Sequence, residues 1–151
     1  MNRIVIRPLT RKQGGAFLSL VDALADYERL KRPDRAARSR LLRDATGRKK
    51  RFDAFLAFTG GRPVGYAIIF ETYSSFLARP TLFLEDLFVA KEYRSWRIGL
   101  ALFRRCVAEA RRRRCGRMEW SVLDWNAPAI RFYRKLKSVW MKEWRFYRLE
   151  L

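Results

Sequence analysis

The sequence predicts an α/β layer fold, a mixed sheet covered by helices. Three observations carry that prediction. Runs with period-two apolar alternation and runs with a helical apolar period follow one another in the order βααβββαβαβ. Two strand-like runs are joined by Thr59-Gly60-Gly61-Arg62-Pro63, a hairpin signal. The chain has 151 residues, 49% hydrophobic and 15% aromatic, which suits a single domain over 1–151 with a buried core.

The elements follow in order. Residues 3–9, RIVIRPL, alternate and are β-branched, which predicts the first strand. Phe17, Leu20, Val21, Leu24 and Tyr27 recur on one helical face. Pro33 and Asp34 can start a second, short helix. Residues 46–51, TGRKKR, read as a loop before the two hairpin strands. The apolar run 81–90, TLFLEDLFVA, predicts a strand with two acids inside it. A helix over 98–114 and a strand over 117–124 come next. Asn126 is an N-cap candidate for a further helix, with Pro128 in its first turn. Residues 143–151, EWRFYRLEL, predict a closing strand.

Composition narrows the function. The formal net charge of +19 favours polyanions. The simpler reading is a solvated Arg-rich surface, since the cations are scattered along the chain. With no histidine, acid–base chemistry falls to Glu, Asp, Tyr, Cys, Lys or water. Cys106 reads as core, and Cys115 follows the Arg run near the helix end. The two support neither a disulfide framework nor a zinc site, and no metal is expected. No apolar run approaches the roughly 20 residues that cross a bilayer, and the first residues lack a signal-peptide core. The expectation is a soluble, cytoplasmic protein.

Five stretches then fall in a telling order: LADYERL, PVGYAIIFETYS, LFLEDLFV, YRSWRIGLALF and WNAPAIRFYRKL. In this order and spacing the chain resembles the GCN5-related N-acetyltransferase (GNAT) superfamily. Within it, the diamine (spermidine/spermine) and thialysine acetyltransferases are most similar. The resemblance implies the GNAT fold: a mixed, mostly antiparallel sheet of about six to seven strands flanked by about four helices. It also implies an acetyl-CoA-dependent N-acetyltransferase acting on a small amine, as a homodimer.

The same resemblance implies the site. Acetyl-CoA lies between the strand at 82–90 and that at 117–124, along Leu87, Phe88 and Val89. Its pyrophosphate sits on the loop and helix start formed by Arg94, Ser95, Trp96, Arg97, Ile98, Gly99 and Leu100. There, unpaired N–H donors and the helix dipole favour an anion. Asn126 and Tyr133 contact the cofactor. Tyr133 matches the tyrosine that protonates the departing thiolate, and Glu85 matches the general base. Tyr27, Glu28, Glu85 and Asp86 match the amine pocket. Without the resemblance, Tyr133 reads as a helix-face aromatic, and Tyr27 and Glu28 as surface. Strand alternation predicts Glu85 and Asp86 on opposite faces. A cationic amine needs a locally acidic pocket in so basic a chain, from Glu28, Glu85, Asp86 and Glu71.

Two glycines of the family pattern are replaced. Arg97 stands where the first small residue of the loop is usual, and Lys137 where a C′ glycine takes positive φ. Trp96 and Trp140 lie nearby in sequence. A second reading therefore stays open: an acetyltransferase scaffold with lost or weakened cofactor binding, natural or engineered, that binds a protein through Trp96, Arg97, Lys137 and Trp140. A third is non-specific nucleic-acid association through residues 47–51 and 111–114.

Overall fold

The computed structural model describes residues 3–151. They fall into two units, one running up to Trp120 and one from Ser121 to Leu151. The first holds β1 (Ile4–Pro8), α1 (Gly14–Tyr27), α2 (Arg35–Thr46), β2 (Asp53–Thr59), β3 (Arg62–Ser74), β4 (Arg79–Val89), α3 (Ile98–Arg112) and β5 (Arg117–Glu119). The second holds α4 (Ala127–Arg134).

Local chemistry sets the boundaries. Asp34 caps α2 by accepting from Ala37 N at 2.8 Å. The hairpin between β2 and β3 turns on Gly60 and Gly61, with φ of 55° and 77°. Two consecutive left-handed residues are what a tight hairpin turn requires.

The sheet runs in the order β1-β2-β3-β4-β5. Its first four strands are antiparallel, and β5 joins β4 in parallel. One face packs on α1 and α2 through Phe17, Leu20, Ala45, Leu56, Tyr66 and Phe88. The other packs on α3, where Ile98, Leu102 and Cys106 are buried. Gly65 is required between the layers: a Cβ there would lie 2.6 Å from Phe88 O.

Among the described residues the sheet has five strands, fewer than the six to seven expected. The strand expected over 117–124 stops at Glu119, where pairing with β4 ends at Phe83. The strand expected over 143–151 is absent. A strand needs a ladder partner as well as alternation. Among the described residues this segment has none, and its Trp144, Phe146 and Leu149 are exposed.

Candidate active site

The site begins with one extra residue in β4. β3 and β4 pair Ile68 with Asp86 and Ile69 with Leu84, which leaves Glu85 unpaired as a β-bulge. The bulge breaks the alternation that predicted opposite faces for Glu85 and Asp86. Tyr66 Oη donates to Asp86 Oδ2 at 3.0 Å. Burial pushes the Asp86 carboxyl up to about 6. The Tyr66 hydrogen bond opposes that rise, while the negative charges of Glu85 and Glu28 add to it. Glu28, at the end of α1, is raised by burial and then by Glu85. Tyr66 is raised well above the usual phenol range, by burial first and Asp86 second. The structure thus brings Glu28, Glu85 and Asp86 into one electrostatic group, with Glu85 exposed.

Glu71 does not join that group. It pairs with Leu82, and its carboxylate faces Arg113 Nη1 at 3.4 Å. The reason is its register on β3, three residues beyond the Ile68 that faces Asp86.

β4 changes character along its length. It pairs with β5 at Thr81, Leu82 and Phe83. From Leu84 onward, through Leu87, Phe88 and Val89, its ladder among the described residues is with β3 alone. A strand edge without a neighbour leaves main-chain groups available to an extended ligand.

The loop that follows ends at the N-terminus of α3. Arg94 Nε donates to Val89 O at 3.1 Å, and its guanidinium lies 4.6 Å from the Tyr27 ring centre and 5.7 Å from that of Phe88. Arg94 thereby joins the end of β4 to Tyr27 of the expected amine pocket. Ser95 and Arg97 take φ of 71° and 63°. Arg97 thus occupies the left-handed position suited to glycine. Its carbonyl accepts the first helical bond, from Ala101 N at 3.0 Å, but its side chain makes no cap hydrogen bond. The N–H groups of Ile98, Gly99 and Leu100 belong to the first turn, where an anion is favoured. Trp96 packs edge-on against Tyr93, with ring centres 5.6 Å apart.

The second unit carries the remaining expected residues. Asn126 is buried and caps α4, its Oδ1 accepting from Ala129 N at 3.3 Å. Tyr133 is half-buried, beside Phe132 at 5.2 Å between ring centres, and its carbonyl accepts from Ser138 Oγ at 2.8 Å. Lys137 has φ of 57°, the left-handed conformation its place predicts. Trp140 is exposed.

Tyr66 was not legible as a site residue. In the apolar run of β3 a tyrosine reads as core, and only the register opposite β4 gives its hydroxyl a carboxylate partner.

The fold is shared widely. AAC(6')-Iy in complex with the bisubstrate analog CoA-S-monomethyl-acetylneamine aligns with a TM-score of 0.82 at 18% identity, covering 99% of both chains. An aminoglycoside acetyltransferase, meta-AAC0020 from an uncultured soil metagenomic sample, aligns at 0.81 and 16% identity, covering 98% of this chain and 96% of that one. In sequence, a thialysine N-epsilon-acetyltransferase of Sus scrofa is 29% identical, covering 99% of this chain and 94% of the relative. The corresponding protein of Caenorhabditis elegans is 29% identical over 88% of this chain and 81% of its own. L-ornithine N5-acetyltransferase NATA1 of Arabidopsis thaliana is 39% identical over 56% of this chain, but that match spans only 37% of the relative. The acetyltransferase (GNAT) family matches residues 17–137, most of the sequence, and the protein belongs to that family.

Proposed function

We propose that this chain transfers an acetyl group from acetyl-CoA to the primary amine of a small cation: a diamine, a polyamine or a lysine-like amine. The carrying observation is the bulge of β4, which gathers Glu28, Glu85 and Asp86 where β4 loses β5 as a neighbour. Negative charge concentrated there attracts an ammonium group against the general positive field of the chain. The names of the thialysine and ornithine relatives support an amino-acid-like amine.

Bound acetyl-CoA supplies the activated acetyl thioester. The main chain of Leu87 and Val89 and the first turn of α3 are suited to hold its pantetheine and pyrophosphate, with Arg94 adding charge. Glu85 takes a proton from the substrate ammonium, directly or through water, because only a neutral amine is nucleophilic. Glu28 and Asp86 orient the substrate by its positive charge. Tyr133 carries the family role of proton donor to the leaving sulfur. We treat 1–151 as one domain, since the family match runs across residue 120, and the assembly as a homodimer.

Calorimetric titration with acetyl-CoA, followed by transfer assays on thialysine, ornithine and spermidine, tests the reading. Binding and turnover of at least one amine are expected. No acetyl-CoA binding would favour the protein-binding scaffold, for which the exposed Trp140 is the relevant observation.

A further inference from the structure

The fold collects two separate basic runs at one end of the sheet. That end carries the start of β2, the β3–β4 turn, the start of β5 and the C-terminus of α3. It is opposite the end where β4 meets the loop at 94–97. Residues 47–51 and 111–114 lie far apart in sequence, yet Lys50, Arg51 and Arg113 line one recess of about 170 Å³, together with Asp53 and Glu71. The Arg113 guanidinium holds the parts together, 2.6 Å from Asp53 Oδ2 and 3.0 Å from Glu109 Oε1. Gly116 N donates to Pro80 O at 2.9 Å and ties β5 to the turn.

The carboxylates here are already engaged. Asp53, Glu71 and Glu109 pair with Arg113, and Glu119 pairs with Arg117. Arg48, Lys49, Arg51, Arg79, Arg111 and Arg114 are exposed and pair with no carboxylate among the described residues. Their field therefore stands uncompensated.

Two aromatic rings lie on or next to the turn that Arg79 closes, at this same end of the sheet. Phe76, in the β3–β4 turn, is 99% exposed, and Tyr73 at the end of β3 is 69% exposed. The turn is braced: Leu77 N donates to Ser74 Oγ at 3.2 Å, and Ser74 pairs with Arg79. Exposed rings on a braced turn, flanked by cations, match what a single-stranded polynucleotide needs. Phosphates follow the charge and unstacked bases lie on the rings. A duplex offers no free base faces. A flat bilayer does not enter a recess, whereas a flexible chain of phosphates does.

We propose that this end of the sheet binds single-stranded nucleic acid, independently of the acetyltransferase site. Phosphates are held by Arg48, Lys49, Arg51, Arg79, Arg111 and Arg114, and bases stack on Tyr73 and Phe76. The binding is sequence-tolerant, because every base has a face to stack.

The test is fluorescence anisotropy on the full chain with a labelled oligouridylate of about 20 nucleotides, which exceeds one such binding site. A duplex of equal length, a polyglutamate peptide and phosphatidylserine vesicles serve as competitors. The parent is expected to prefer the single strand, with affinity falling as salt rises. Tyr73→Ala/Phe76→Ala is expected to weaken it about thirty-fold or more with the salt dependence kept. Arg48→Glu/Lys49→Glu is expected to flatten the log–log salt slope by about one or more. All four side chains are exposed, and circular dichroism verifies that each variant is folded. Single-strand affinity unchanged in the aromatic variant overturns the proposal. So does a duplex, peptide or vesicle that competes as well as the oligonucleotide itself.

Discussion

Tyr66 donates its hydroxyl to Asp86 Oδ2 across 3.0 Å, from a ring wholly buried against Phe17 and Phe88. The pair joins the core to the acidic group of the candidate site. It also sets a pH dependence. The Asp86 carboxyl, raised to about 6, holds its proton more tightly folded than unfolded. Between about pH 4 and 6 the folded chain therefore binds more protons, and Asp86's contribution to stability falls as pH rises through that window. Asp86→Asn removes this titration while keeping the shape. In urea unfolding, the parent is expected to lose on the order of 2 kcal/mol relative to the variant between pH 4 and 6.5. Parallel curves would refute a perturbed Asp86.

Tyr133→Phe is expected to lower kcat about 100-fold through loss of a proton donor, with the fold kept because the ring remains. Glu85→Gln is expected to reduce the rate most at low pH, where the amine is protonated. Steady-state kinetics across pH read both. Unchanged turnover removes Tyr133 from the mechanism, and an unchanged profile moves the base away from Glu85.

Arg97 and Lys137 both sit in the left-handed region, at φ of 63° and 57°. Replacing either with glycine relieves about 1 kcal/mol of strain. In thermal denaturation each variant is expected to melt about 3 °C higher. Arg97→Gly is also expected to tighten acetyl-CoA binding in calorimetry, by clearing a side chain from the start of α3. If the parent binds as tightly, Arg97 is a phosphate ligand.

Glu109 is 7% exposed and held at about 2, first by its hydrogen bonds to Arg112, with Arg113 adding to the effect against the cost of burial. Its folded value lies below the unfolded one, so its stabilisation is present above about pH 4.5 and is lost as pH falls toward 2. Arg113→Ala leaves Glu109 with Arg112 and Asp53 with Lys50 as their remaining partners. At pH 7 it is expected to cost about 2 kcal/mol, shrinking as the solution is acidified. Chemical denaturation at pH 7 and pH 3 measures the difference; equal losses would show that Arg113 acts through packing alone.

Much of the fold was legible because its signals are local. The apolar period of α1 and α3, the cap at Asp34 and the two glycines of the β2–β3 turn each act within a few residues. The left-handed position of Lys137 was legible for the same reason, as a place where a familiar motif ends a helix in glycine; at Arg97 the motif marked only a place for a small residue. The tertiary structure alone decided the rest. The bulge at Glu85 is a mismatch between two strands, so periodicity within one strand cannot reveal it. That bulge places Asp86 opposite Ile68 and gives Tyr66 its carboxylate. Register likewise sends Glu71 to Arg113 and away from the acidic group. Residues 143–151 alternate as a strand does, yet form none, because a strand's hydrogen bonds belong to its neighbour as much as to itself.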